Sequence, residues 1–196
     1  VSGHSSGTVN NWSGSYTPFG SEENVFALGY GKDSNGDGIY IAAANDGNKE
    51  LARSGTDVTS TDNWTTINIS TTGGTAVIVD VVWGAHSSGA TAGVWMAVGT
   101  GAHSRVYRST DGGVNWSAVG VPNGDTGEYI PQIASNGSGT WAFVHDDGFY
   151  LSTDDGASFT KSNPFTMARG NGIAYNASNN TWIVSYTKGG VLNARS

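Results

Sequence analysis

The sequence predicts an all-β fold, a four-bladed β-propeller of four-stranded antiparallel blades, and three observations carry that prediction. Thirty glycines and only 13% charged residues leave Trp, Tyr, Thr, Val and Ser crowding the stretches between glycines, which is the chemistry of pleated strands joined by tight turns. Two aromatic series interleave: Trp12, Trp64, Trp116 and Phe159, spaced by 52, 52 and 43 residues, and Tyr40, Trp95, Trp141 and Trp182, spaced by 55, 46 and 41. A unit of four strands therefore recurs, and 196 residues over four units is 49 each, near the roughly 40 to 50 of propeller repeats. Finally, the last unit stops one strand short while the chain opens with one strand too many.

The predicted first strands are Val25–Leu28, Val77–Val82, Tyr129–Ile133 and Gly172–Tyr175, and the second strands Ile39–Ala43, Val94–Val98, Thr140–Val144 and Thr181–Tyr186. Third strands are expected over Leu51–Ser54, Arg105–Ser109, Phe149–Ser152 and Val191–Ser196, and fourth strands over Asn63–Ile69, Asn115–Val119 and Ser158–Lys161. Glycine- and Asn-rich turns separate these runs. No 11-residue window places apolar residues at i, i+3, i+4 and i+7 between caps, so any helix is short.

The surplus strand, Asn11–Tyr16, matches Asn115–Val119 of the second unit. Pairing it with the last unit closes the ring and removes the unpaired edges that make open sheets prone to aggregate. The expected organisation is one domain: 1–20 as the closing strand, then blades over 21–70, 71–122, 123–163 and 164–196.

Charge and composition exclude several classes of function. A net charge of −7 with nine Lys and Arg provides no basic groove for a nucleic-acid backbone. Zero cysteines exclude disulfides, thiolate metal sites and a cysteine nucleophile. No apolar run approaches the roughly 18 residues of a membrane span, so no membrane insertion is expected.

Ser109-Thr110-Asp111-Gly112-Gly113-Val114-Asn115-Trp116 and Ser152-Thr153-Asp154-Asp155-Gly156-Ala157-Ser158-Phe159 both read S-x-D-x-G-x-x-aromatic. The pattern resembles the Asp box of the sialidase-like, or BNR-repeat, propellers, in which it forms the turn between the third and fourth strands of a blade. A degenerate copy runs from Ser54-Gly55-Thr56-Asp57 to Trp64, and a fourth would be split between Ser196 and the N-terminus. The resemblance implies a structural role for Ser109, Asp111, Gly113, Trp116, Ser152, Asp154, Gly156 and Phe159, on the face opposite the family's active site. The carboxylate is expected to accept N–H groups of its own turn, the Gly to supply a positive φ, and the aromatic to pack between blades.

Catalytic residues are not expected. The resemblance implies that a sialidase would need three arginines on one substrate carboxylate, a Tyr–Glu nucleophile pair and an acid/base Asp. Of five arginines, Arg53, Arg108 and Arg195 stand at one repeat position, just before the box Ser, and are therefore spread round the ring. Asp33-Ser34-Asn35-Gly36-Asp37-Gly38 copies the first half of a calcium loop, but Ala44 stands where the bidentate Glu would be. A weak calcium site at Asp33, Asn35 and Asp37 is thus a minor alternative to an ordinary polar turn, and no other cofactor is expected. His4, His86, His103 and His145 show no metal-ligand spacing.

In a propeller the loops joining strands two to three and four to one share a face. Here that face would carry Asp46, Lys49, His103, His145, Asp146, Asp147, Arg169, Tyr186 and Lys188, a mixture suited to polyol or protein recognition. The expected function is a non-catalytic binding or structural module, extracellular or virion-associated. Its partner would be a glycan or the protein surface of a larger assembly, as in an adhesin or a bacteriophage tail, fibre or capsid-decoration protein. Self-association into a homo-oligomer is allowed for, and a small sialidase-like glycoside hydrolase is the alternative.

Overall fold

The computed structural model describes residues 18–19, 24–44, 50–55, 63–69, 77–100, 106–121, 130–145, 148–162 and 170–187, and the backbone of 190–195. Its strands form antiparallel sheets in simple meanders. The first sheet is β1 (Val25–Lys32), β2 (Gly38–Ala44), β3 (Leu51–Ser54) and β4 (Trp64–Ile67). The second is β5 (Val77–Gly84), β6 (Val94–Thr100), β7 (Val106–Ser109) and β8 (Ser117–Val119). The third is β9 (Gln132–Ser135), β10 (Trp141–His145), β11 (Gly148–Ser152) and β12 (Thr160–Ser162), and the fourth is β13 (Gly170–Asn176), β14 (Thr181–Tyr186) and β15 (Gly190–Arg195).

The core lies between the sheets rather than within any one of them, because a sheet buries its side chains only by facing another layer. Ile39, Ile41 and Leu51 of the first sheet bury Val81, Trp95 and Tyr107 of the second. Met96, Val98 and Val106 then cover Trp141, Phe143 and Tyr150 of the third, and Val144 and Phe149 cover Trp182 and Val184 of the fourth. The predicted second aromatic series thus faces backwards along the arc, with Trp95, Trp141 and Trp182 almost fully buried. Its close approach needs small residues opposite: a Cβ added at Gly84 would stand 2.8 Å from the Trp141 ring.

The first strands lie side by side in the order β1, β5, β9, β13. No contact of comparable extent joins β13 back to β1. The described sheets therefore form an arc, and the closing strand predicted at 11–16 lies outside the described residues.

Two details differ from the sequence reading. The first strand of the third sheet begins at Gln132 rather than Tyr129, because Pro131 has no N–H to give a ladder. Arg195 does not share the place of Arg53 and Arg108: those pair with Ile41 and Met96, whereas Arg195 pairs with Thr181 and Asn193 takes the equivalent place opposite Ile183.

Candidate functional site

The two S-x-D-x-G-x-x-aromatic segments fold into matching turns between the third and fourth strands of their sheets. Ser109 Oγ donates to Asp111 Oδ1 at 2.8 Å and accepts the Gly113 N–H at 3.0 Å, while Asp111 Oδ1 accepts the Asn115 N–H at 2.9 Å. Ser152 Oγ likewise donates to Asp154 Oδ1 at 2.7 Å and accepts the Gly156 N–H at 3.0 Å, and Asp154 Oδ1 accepts the Ser158 N–H at 3.0 Å. Asn115 Nδ2 and Ser158 Oγ donate to the second carboxylate oxygens at 2.7 and 2.6 Å.

These bonds set the ionisation of the two acids. Partial burial opposes charge on Asp154, but the hydroxyls of Ser158 and Ser152 and the backbone N–H groups outweigh it and bring its pKa down to about 2. Asp111 is lowered too, with desolvation again outweighed by bonds from Asn115, Ser109 and Val114. Both carboxylates are engaged as acceptors by their own turns.

Each turn also docks on the preceding sheet. Arg53 Nε donates to the Gly112 carbonyl at 2.8 Å, and Arg108 Nε donates to the Asp155 carbonyl at 2.7 Å. These two arginines are inter-sheet latches, so their separation round the arc reflects the repeat itself. Gly112, with φ of 74°, lies so close to the Asp33–Ser34 backbone that an added Cβ would stand 2.6 Å from it. Asp155 occupies the same place in the second copy at φ of 58° and hooks its carboxylate onto Ser87, accepting the N–H at 2.7 Å and the hydroxyl at 2.5 Å.

His86 Nδ1 stands 3.4 Å from Asp155 Oδ2 and 2.9 Å from Ser88 Oγ. Acid and hydroxyl meet the same ring nitrogen, whereas a nucleophilic relay holds them on opposite nitrogens. The grouping is a loop clamp, and desolvation of Asp155 is outweighed by its Ser87 bonds and the nearby positive charge, leaving its pKa lowered.

Asp33, Asn35 and Asp37 form the β1–β2 hairpin turn. Asp33 Oδ1 accepts the N–H groups of Asn35 and Asp37 at 2.8 and 2.9 Å, and its other oxygen lies 3.7 Å from Arg53. Asn136 does the same in the third sheet, accepting the Ser138 and Thr140 N–H groups. Asp33 is thus engaged by its own turn and faces the Arg53 guanidinium.

Of the candidate binding-face residues, Asp46, Lys49, His103, Asp146, Asp147, Arg169 and Lys188 lie outside the described residues. The two candidates that are described are not exposed loop residues as expected. His145 ends β10 and is fully buried, its ring edge-on to Tyr150 at 5.6 Å. Tyr186 ends β14 and is half-buried against the cluster between the third and fourth sheets. β10 runs one residue past its predicted end and carries His145 into the inter-sheet layer, whereas β14 ends at Tyr186 as predicted.

The sequence reading missed three polar groups that join or brace the sheets. Asp80 Oδ2 accepts the Ile133 N–H at 3.0 Å and Gln132 Oε1 accepts the Ile173 N–H at 2.8 Å, so β5 ties to β9 and β9 to β13. Burial raises the Asp80 pKa, with the Ile133 bond acting against it. Buried Glu50 accepts the Ile69 N–H at 3.0 Å through Oε2. For Asp155 there was a signal, an acid standing where the other turn has glycine.

No protein-family model and no curated protein matches the chain. Solved structures do resemble it. A structure of YCF48 bound to D1 peptide aligns with a TM-score of 0.61 at 13% identity over 88% of this chain and 50% of that one. The computationally designed Ika4 protein aligns at 0.61 and 10% identity over 90% of this chain and 94% of its own. The GH74 enzyme of Niastella koreensis aligns at 0.53 and 19% identity over 91% of this chain and 24% of that one. The chain thus has a β-propeller fold and spans about half the length of the YCF48 structure.

Proposed function

We propose that the chain is a non-catalytic propeller module that recognises a protein or glycan surface. The observation that carries the reading is the use of its acids. Six of the seven described carboxylates, Asp33, Glu50, Asp80, Asp111, Asp154 and Asp155, accept hydrogen bonds that hold turns or sheets together. Only Asp37 is left exposed without such a bond, and glycoside hydrolysis needs two carboxylates flanking one sugar ring. The two matching turns are proposed to be Asp boxes, and Asn11–Tyr16 to supply the fourth strand beside β15.

A protein partner draws support from the YCF48 structure, whose description is of a peptide complex. The GH74 likeness favours the second reading, a small glycoside hydrolase. A panel of chromogenic glycosides, sialosides included, is expected to show no turnover, while a glycan array and a peptide library are expected to return a binder. Hydrolysis that survives purification and disappears with an acid-to-amide substitution would establish the enzyme instead. Recovery of the chain from purified virus particles is the test of the virion-borne form of the role.

A further inference from the structure

Every junction between consecutive sheets joins a backward face rich in aromatics to a forward face of small and aliphatic residues. The arc has one such face left over at each end. On β1, Ala27, Gly29 and Gly31 turn towards the second sheet, and the alternate residues Phe26, Leu28 and Tyr30 turn away. Leu28 and Tyr30 pair with Ala42 and Tyr40 just as Val81 and Trp83 pair with Ala97 and Trp95. Their counterparts are packed against the first sheet, yet Leu28 is 61% and Tyr30 64% exposed. Phe19 covers only a neighbouring part of this face, over Ala42, Ala44 and Ala52.

At the other end, Ala174 pairs with Ile183 as Ala134 pairs with Ala142 in the third sheet. The third-sheet pair is packed against the fourth sheet, but Ala174 and Ile183 are exposed and border an open hollow with Gly172 and Ser185. Among the described residues β13 makes no extended contact with β1, and the two end faces do not cover one another. A contiguous apolar face of this kind marks an interaction surface.

We infer that the occupant is a second copy of this chain. The fourth sheet of one copy docks on the first sheet of the other, at two equivalent junctions, to make a ring of eight sheets in which the Asn11–Tyr16 segment of each copy lies beside β15 of the other. A second copy brings both complementary faces at once and continues the interface already repeated three times in the chain. An arc of this size aligning with half of the YCF48 chain is in keeping with half a ring. The contact is head-to-tail, the type that closes when the rotation per copy is right and otherwise runs on as a filament.

Sedimentation equilibrium on the full chain is expected to give twice the 20.2 kDa chain mass. Leu28→Asp and Ile183→Asp should each give a monomer with unchanged β-sheet circular dichroism, since both side chains are at the surface. An equimolar mixture of the two variants should recover a two-chain species, because one of its two junctions is intact. A wild-type monomer, a filament series, or a dimer that neither substitution weakens would overturn the inference. Mass is read without any ligand, so this test and that of the recognition reading fail independently.

Discussion

Arg108 donates its Nε–H to the backbone carbonyl of Asp155 at 2.7 Å, and that carbonyl belongs to a residue held at φ of 58°. One sheet earlier, Arg53 makes the same bond to Gly112 at 2.8 Å. An arginine at the end of one third strand thus anchors the S-x-D-x-G turn of the next sheet, so that turn acts between sheets as well as within its own sheet.

Replacing Arg108 by Leu, the residue opposite Ala142 in the third sheet, removes a charged donor from a partly buried carbonyl. Hydrogen bonds to charged groups contribute about 1.5–3 kcal/mol when buried, and partial exposure here places the expected loss near 1–2 kcal/mol. Urea unfolding should show a lower midpoint at constant slope. An unchanged midpoint would mean that the latch adds nothing to stability.

Asp155→Ala loses both Ser87 bonds and keeps an unfavourable backbone, since a left-handed conformation costs a non-glycine residue about 1–2 kcal/mol. Asp155→Gly loses the same bonds but relieves the backbone. The glycine variant is therefore expected to be more stable than the alanine variant by about 1 kcal/mol, with both below wild type, as read by thermal melting of the three proteins side by side.

The aromatics of the two turns are not equivalent. Phe159 is 3% exposed and stacks obliquely on Phe143 at 4.8 Å, whereas Trp116 packs only partly buried against the cluster between the first and second sheets and donates its indole N–H to the Gly113 carbonyl. Phe159→Ala should cost about 3–5 kcal/mol, the range for emptying a core aromatic site, and Trp116→Ala about half of that. Denaturant titration of both variants checks the order.

The acids predict opposite responses to pH. Asp111, Asp154 and Asp155 have lowered folded-state pKa values, so they stabilise the fold above the ordinary carboxylate range, and that contribution is lost as pH falls from about 4 towards the Asp154 value of about 2. Asp80 is raised by burial, so its ionisation works against folding, and its share of stability is lost as pH rises. Asp80→Asn keeps an acceptor for the Ile133 N–H and should raise the melting temperature at pH 7 more than at pH 3. An equal shift at both values would remove burial of charge as the cause.

The repeat was legible because both of its signals are local. An aromatic residue stands within the first three positions of every second strand, and the S-x-D-x-G turns announce the junction between third and fourth strands, so strand order and turn position could be read from spacing. The candidate binding face was less legible. His145 directly follows the apolar run Trp141–Val144 and Tyr186 closes a predicted strand, and backbone pairing with Gly148 and Gly170 carries both inward.

By itself, then, the sequence determined the all-β class, the four repeated units and the structural use of Asp111 and Asp154, since composition, period and turn chemistry act over a few residues. Only the tertiary structure decided that Asp155 hooks Ser87, that Asp80 ties β5 to the Ile133 N–H, and that among the described residues β13 makes no extended contact with β1. Those facts depend on how one sheet is set against the next, an angle fixed by side chains that meet across tens of residues of chain and leave no periodic trace along it.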